Sequence, residues 1–384
     1  MTHVTSQRPS HGERYQRLRR LFEADRANLR LRRDCLDAAT AAGDYDYLRD
    51  EADRALADAP GDPMALFDAA NARIGLREYD VARDMLVRLQ AMDPTPPAIH
   101  TNLALCHYCL RDYDAARGAA TQAYEAGARD AGTLRLLVSS YHHLGLMDQA
   151  RAIADENEGT AREDGPLAAT YALMYLDADD ARSAFRWAKA ALARNPDSVD
   201  ALVVDATVAT AQMDLARAGR HYGRVLELAP RTGRAHLGLG SLAMLSRDFA
   251  GAKEHVTRAL DELGKHVGTW HLLAWAHVMS GEIAEAEKAF QHALELDRNF
   301  AETHGGLAAV AAIRGDRATA EREMEVARRL DPQCLSATFT QAVLDAKAGN
   351  ADKARQTIMD AAVGLSGRQS SALARLIDKA IRRD

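Results

Sequence analysis

A 34-residue period runs without a slip from Leu29 to Arg368, and it constrains the fold of this chain more than any other feature. Blocks that start at 29 and advance by 34 give ten repeats, the first 29–62 and the last 335–368. A unit this short cannot bury a core by itself, so the period predicts a solenoid in which stacked neighbours share one. Numbered 1 to 34 within each block, positions 8, 20 and 27 are small, as in Ala104, Ala116 and Ala123. Positions 7 and 24 are larger, as in Leu103, Leu137, Leu273, Tyr222, Val256 and Phe290. Position 32 is proline at Pro60, Pro94, Pro196, Pro230 and Pro332.

This spacing predicts two helices per block. Apolar residues at 4, 7, 8 and 11 fall on one face of a first helix, and those at 20, 24 and 27 on one face of a second. Alanines opposite large side chains let antiparallel helices approach closely. Gly or Asp near position 15, as at Gly43, Gly145, Gly281, Gly315 and Gly349, marks the turn between them, and proline at 32 stops the second helix.

The block 267–300, VGTWHLLAWAHVMSGEIAEAEKAFQHALELDRNF, carries Trp270, Leu273, Ala274, Gly281, Ala286, Phe290 and Ala293 at its signature positions. With this pattern the chain resembles the tetratricopeptide repeat (TPR) family over about nine-tenths of its length. The resemblance implies an all-α, right-handed superhelical solenoid of helix–turn–helix repeats with capping helices, and a general habit of binding peptides or proteins.

In that family the first helices line a concave groove through positions 2, 5, 6, 9, 12 and 13. Here those positions are charged or amide near the N-terminus (Arg30, Arg33, Asp34, Asp37, Asp68, Asn71, Asn102). In blocks six to nine many are apolar (Val203, Val204, Leu237, Met244, Leu245, Leu272, Val278, Met279, Ile313). His271, Trp275 and Met279 form a stripe at i, i+4, i+8, expected to face the groove beside Leu237 and Leu245. Gly305 and Gly306 in the next block are expected to leave room for an entering group. Such a patch is a candidate contact site, with Trp275 as its anchor. The bland reading is packing between adjacent first helices. Asn71 and Asn102 match positions where related domains hold a peptide backbone, which an amide can do by donating and accepting together. The basic clamp used by chaperone-binding relatives is missing, since Phe67, Gly132 and Leu136 stand at its positions.

Residues 1–11 are polar and expected to be disordered, 12–28 to form a capping half-repeat through Leu18 and Leu21, and 369–384 to form a C-terminal capping helix. The arginines of that half-repeat and of the helix after it (Arg14, Arg17, Arg19, Arg20, Arg26, Arg30, Arg32, Arg33) read as a solvated cap; a basic patch for an acidic partner or membrane is the alternative. In block 131–164, Asn157 replaces the small residue at 27 and Gly159 falls inside the second helix, so 155–166 is a candidate frayed end or hinge.

Other chemistry finds little support. Cys106 and Cys109 form a lone C-x-x-C late in a helix, away from the helix N-terminus a redox pair favours and without a second pair for zinc. Adjacent His142 and His143 point apart, and His236, His255, His266, His271 and His277 are scattered. No phosphate loop, cofactor motif or metal set stands out. No apolar run is long enough to span a bilayer, and no signal segment precedes the repeats. Four cysteines suit a reducing compartment, so a cytoplasmic protein is expected. A net charge of −6 argues against nucleic-acid binding. Heavy use of Ala, Arg and Asp hints at a bacterial source.

The reading is a non-enzymatic scaffold or adaptor holding a peptide or protein segment, within the assembly of a larger bacterial complex. The groove could also take a second copy of the chain. A regulatory receptor for a signalling peptide or small ligand is the alternative; an enzyme is a distant third.

Overall fold

The computed structural model describes residues 11–92 and 96–364, and every regular element among them is a helix. The expectations for 1–10 and for the capping helix at 369–384 fall outside those residues, as does Pro94. The chain divides into two compact units, one ending at Asp179 and the other starting at Asp180.

The first unit holds α1 (His11–Ala24), α2 (Leu29–Ala42), α3 (Tyr45–Asp58), α4 (Pro63–Gly75), α5 (Tyr79–Gln90), α6 (Pro97–Cys109), α7 (Tyr113–Glu125), α8 (Ala131–His143), α9 (Met147–Glu156), the short α10 (Glu158–Glu163) and α11 (Gly165–Asp177). The second holds α12 (Ala181–Arg194), α13 (Val199–Ala211), α14 (Leu215–Leu228), α15 (Gly233–Leu245), α16 (Phe249–Leu263), α17 (Val267–Ser280), α18 (Ile283–Leu296), α19 (Ala301–Arg314), α20 (Arg317–Leu330), α21 (Leu335–Lys347) and α22 (Ala351–Gly364). Within each unit the two helices of a pair pack together, and several first helices also touch the first helix of the next pair, as α4 does α6 and α17 does α19.

The core follows the period. Ala82, Ala116, Ala150, Ala218, Ala252, Ala286 and Ala320 at position 20 are all fully buried. Phe290, Val256 and Tyr222 at position 24 fill the space that the alanines leave. At position 8 of its block, Gly240 stands so close to Val256 that an added Cβ would lie 2.5 Å from its Cγ2.

The turn is more uniform than its sequence. Position 15 takes a left-handed backbone in every block: φ is +70° to +89° at Gly43, Gly145, Gly281, Gly315 and Gly349, and +57° to +64° at Arg77, Arg111, Asp179, Met213 and Arg247. A residue there reverses the chain and lets backbone N–H groups close on the last carbonyls of the first helix. Position 16 then caps the second helix. The carboxylates of Asp44, Asp112, Asp214, Asp248 and Asp316 accept from the N–H three residues on.

A second recurrent device joins neighbouring blocks. The ring N–H at position 4 donates to the carbonyl six residues earlier, in the link from the preceding block. His236 Nε2 reaches Pro230 O at 3.1 Å, Trp270 Nε1 reaches Gly264 O at 2.8 Å, and His304 Nε2 reaches Arg298 O at 3.0 Å.

Two local expectations are corrected. In α1 the buried residues are Tyr15 and Phe22, with Leu18 partly buried, whereas Leu21 is 47% exposed. The stripe is i, i+3, i+7 from Tyr15, one helical step away from the repeat register, and Tyr15 Oη donates to Asp44 Oδ2 at 2.7 Å. In the irregular block the second helix breaks rather than frays. Asn157 ends α9, is nearly buried, and donates through Nδ2 to Tyr124 Oη at 3.1 Å and Ile153 O at 2.8 Å. The chain then resumes as α10, with Ala161 fully buried. A polar side chain at a core position has found partners, and the helix bends to supply them.

Candidate functional site

In the first unit the predicted asparagines come together. They sit one repeat apart on the adjacent first helices α4 and α6, both half-buried, and Asn102 Nδ2 donates to Asn71 Oδ1 at 2.7 Å. The contact uses one donor and one acceptor, so Asn71 Nδ2 and Asn102 Oδ1 retain the opposite pair. Thr101 and Thr133 continue the row from α6 to α8, with their hydroxyls 3.0 Å apart. Beside Asn71 on α4, burial raises the Asp68 carboxyl above its ordinary range, and the guanidinium groups of Arg33 and Arg32 pull it back.

In the second unit part of the apolar set belongs to the core. Val203, Val204 and Val278, at positions 5, 6 and 12 of their blocks, are buried. Gly305 and Gly306 do not open a way in. An added Cβ would stand 2.6 Å from Ser336 Cβ at Gly305 and 2.3 Å from Phe290 Cε1 at Gly306. These glycines let α21 and the Phe290 ring approach α19.

The stripe on α17 is half-buried and internally engaged. Trp275 Nε1 donates to His271 Nε2 at 3.0 Å, and the indole meets the Phe290 and Phe339 rings edge-on at 5.8 and 5.1 Å. His271 also lies edge-on to Phe290 and Phe300. Burial lowers its pKa to about 4, so the imidazole is neutral near pH 7. Because Nε2 accepts from Trp275, the proton sits on Nδ1, which is buried without a hydrogen-bond partner. Leu237, Leu245 and Met279 are half-buried and keep part of their surface open.

Several residues escaped the sequence reading. Phe339 occupies position 5 of block ten, as His271 does in block eight, and extending the groove positions by one block would have found it. Glu302 accepts from the backbone N–H groups of Leu335 and Ser336 at 2.8 and 3.0 Å, capping α21. Asp205 stands at position 7, where other blocks carry leucine; it is buried 2.8 Å from His221 Nδ1 and 3.5 Å from Arg217 Nε. A charge at a core position of the period was the available signal.

Burial pushes the Cys106 thiol up to about 12, while Cys109 is exposed. His142 pairs with Asp177 at 2.9 Å, and His143 stacks on Tyr113. Among the described residues no three His, Cys, Asp or Glu side chains converge as a metal site. No helix among them is long and apolar enough to cross a membrane.

Helix pairs repeated at a fixed period, with a shared alanine-lined core, define an all-α repeat solenoid. Two profiles for the tetratricopeptide repeat match the chain, one over residues 243–310 and the other over 67–131 and 205–267. The residues matched carry tetratricopeptide repeats. Over 155 residues it is 28% identical to the general transcriptional corepressor ssn6 of Schizosaccharomyces pombe. That stretch is 40% of this chain and 13% of the corepressor, so the chain spans a small part of that relative's length. The crystal structure of the APC/C hetero-tetramer Cut9–Hcn1 aligns over 96% of this chain and 93% of its own, with 12% identity and a TM-score of 0.50. YrrB, a TPR protein with an unusual peptide-binding site, covers 50% of this chain and 97% of its own at 21% identity and a TM-score of 0.36. Repeats of this family make protein-interaction scaffolds, and that is the general role of the chain.

Proposed function

We propose that the chain is a cytoplasmic adaptor that holds an extended segment of a partner protein along the first helices of residues 63–143, within a larger bacterial assembly. The observation carrying this reading is the Asn71–Asn102 pair. Two amides one repeat apart, already oriented by their mutual hydrogen bond, offer a donor and an acceptor matching the C=O and N–H of an extended backbone. Backbone recognition of this kind is tolerant of sequence, which suits a scaffold. The α17 face is the weaker candidate, because Trp275 already spends its N–H on His271 and much of its ring on Phe290 and Phe339.

Binding of the purified chain to an array of unstructured peptides tests this. Peptides that bind should lose at least tenfold in affinity with Asn71→Ala or Asn102→Ala and little with Trp275→Ala, circular dichroism being unchanged in all three. The opposite ranking moves the site to α17. A concentration-dependent rise in molecular mass without peptide, abolished by Trp275→Asp, indicates a second copy of the chain as occupant there.

A further inference from the structure

The scattered histidines are not all solitary in the fold. His236 on α15 and His255 on α16 face each other through their Nδ1 atoms at 3.2 Å. His236 is buried and its Nε2 lies 3.1 Å from Pro230 O, so Nε2 carries the proton and Nδ1 presents a lone pair toward its neighbour. His255 is half-buried and so open to solvent on one side.

We propose that His236 Nδ1 and His255 Nδ1 form a binding site for a divalent transition-metal ion of the zinc type, with water completing its coordination. Three observations carry it. Two nitrogens 3.2 Å apart, each ~2.05 Å from an ion, subtend about 100° at it, close to the tetrahedral angle. The Nε2–H of His236 is held by a backbone carbonyl, the arrangement that orients a ligating imidazole and fixes its tautomer. The site also differs from its counterpart two blocks on. His304 occupies the same repeat position and makes the same link contact, but its Nδ1 meets the Glu323 carboxylate at 2.9 Å, an ordinary pair of opposite polarity.

Between His236 and His255 two groups of like character converge instead. A proton on His255 Nδ1 can bridge them, and the ion takes the place of that proton as His255 moves it to Nε2. Glu254 and Asp248 add negative potential around His255, and Arg258 opposes it. With no third side chain converging among the described residues, the site is open and its ion exchangeable.

Titration of the full chain with zinc chloride at pH 7.5, followed by calorimetry and by thermal melting, tests the assignment. The expected result is one zinc per chain with a rise in Tm, since an ion joining α15 to α16 binds the folded state alone. His236→Gln and His255→Gln should each weaken binding at least tenfold and remove the rise, while His142→Ala/His143→Ala leaves both intact. His255→Gln lies at a half-exposed position and keeps the test valid should the buried His236 variant fail to fold. Absence of zinc binding by the wild type, or binding that survives His255→Gln, overturns the proposal.

Discussion

At the scale of single residues two features of the described chain carry a cost that a substitution can measure. One is the left-handed turn. Five blocks use glycine at position 15, and the others hold Arg77, Arg111, Asp179, Met213 and Arg247 at φ near +60°. An L-residue in that region is disfavoured by about 1 kcal/mol. Arg111→Gly should therefore stabilise the chain by about 1 kcal/mol in urea titration, and Gly281→Ala should destabilise it by a similar amount. The other is His271, neutral and lacking a partner at Nδ1. Its folded pKa of about 4 lies below the ordinary 6.5, so the unfolded chain binds more protons between those values. Stability is full above pH 6.5 and falls toward pH 4, by about 3 kcal/mol at the limit. His271→Gln, which retains an acceptor for Trp275, should flatten that part of the pH profile in thermal melts. The period placed His271 beside Trp275 but could not show their hydrogen bond, because helical spacing fixes which residues share a face and not which rotamers they adopt.

At the scale of elements the helix pairs were legible because 34-residue self-similarity averages over local noise. Ala116 or Phe290 alone says little, but the same residue class at the same offset in block after block says a great deal. What the period could not supply were the partners of the residues that depart from it. Asp205 and Asn157 break the pattern at core positions, and their partners His221 and Tyr124 lie on other helices. The glycines of α19 were read as space because sequence shows a missing side chain but not what fills the gap. Gly306→Ala would push a methyl group into Phe290 and should destabilise the second unit by about 2 kcal/mol in urea. A control at Gly223, which has nothing within 4 Å of an added Cβ and sits on α14, should be neutral or mildly stabilising.

At the scale of the whole molecule, the two compact units give a reason to expect unfolding that is not all-or-none. In a repeat array each block contacts only its neighbours, so cooperativity decays along the chain. All three tryptophans (Trp187, Trp270 and Trp275) lie beyond Asp180. Tryptophan fluorescence therefore reports the second unit, while far-ultraviolet circular dichroism reports both. In guanidinium the two transitions should have different midpoints, and coincident curves would show that the units unfold together. The repeat period identified the class of fold but offered no sign of a division at Asp179, since block 165–198 runs through it with its spacing unchanged.

The ring-to-carbonyl contacts of His236, Trp270 and His304 bear on how such an array can change over generations. Each ties the start of one block to the tail of the block before it across a fixed separation of six residues. Inserting or losing a single residue in those links would part the donor from its acceptor, whereas duplicating or deleting a full 34-residue block would preserve every such join. Along this stretch the gene can be lengthened or shortened by whole modules far more readily than by single codons.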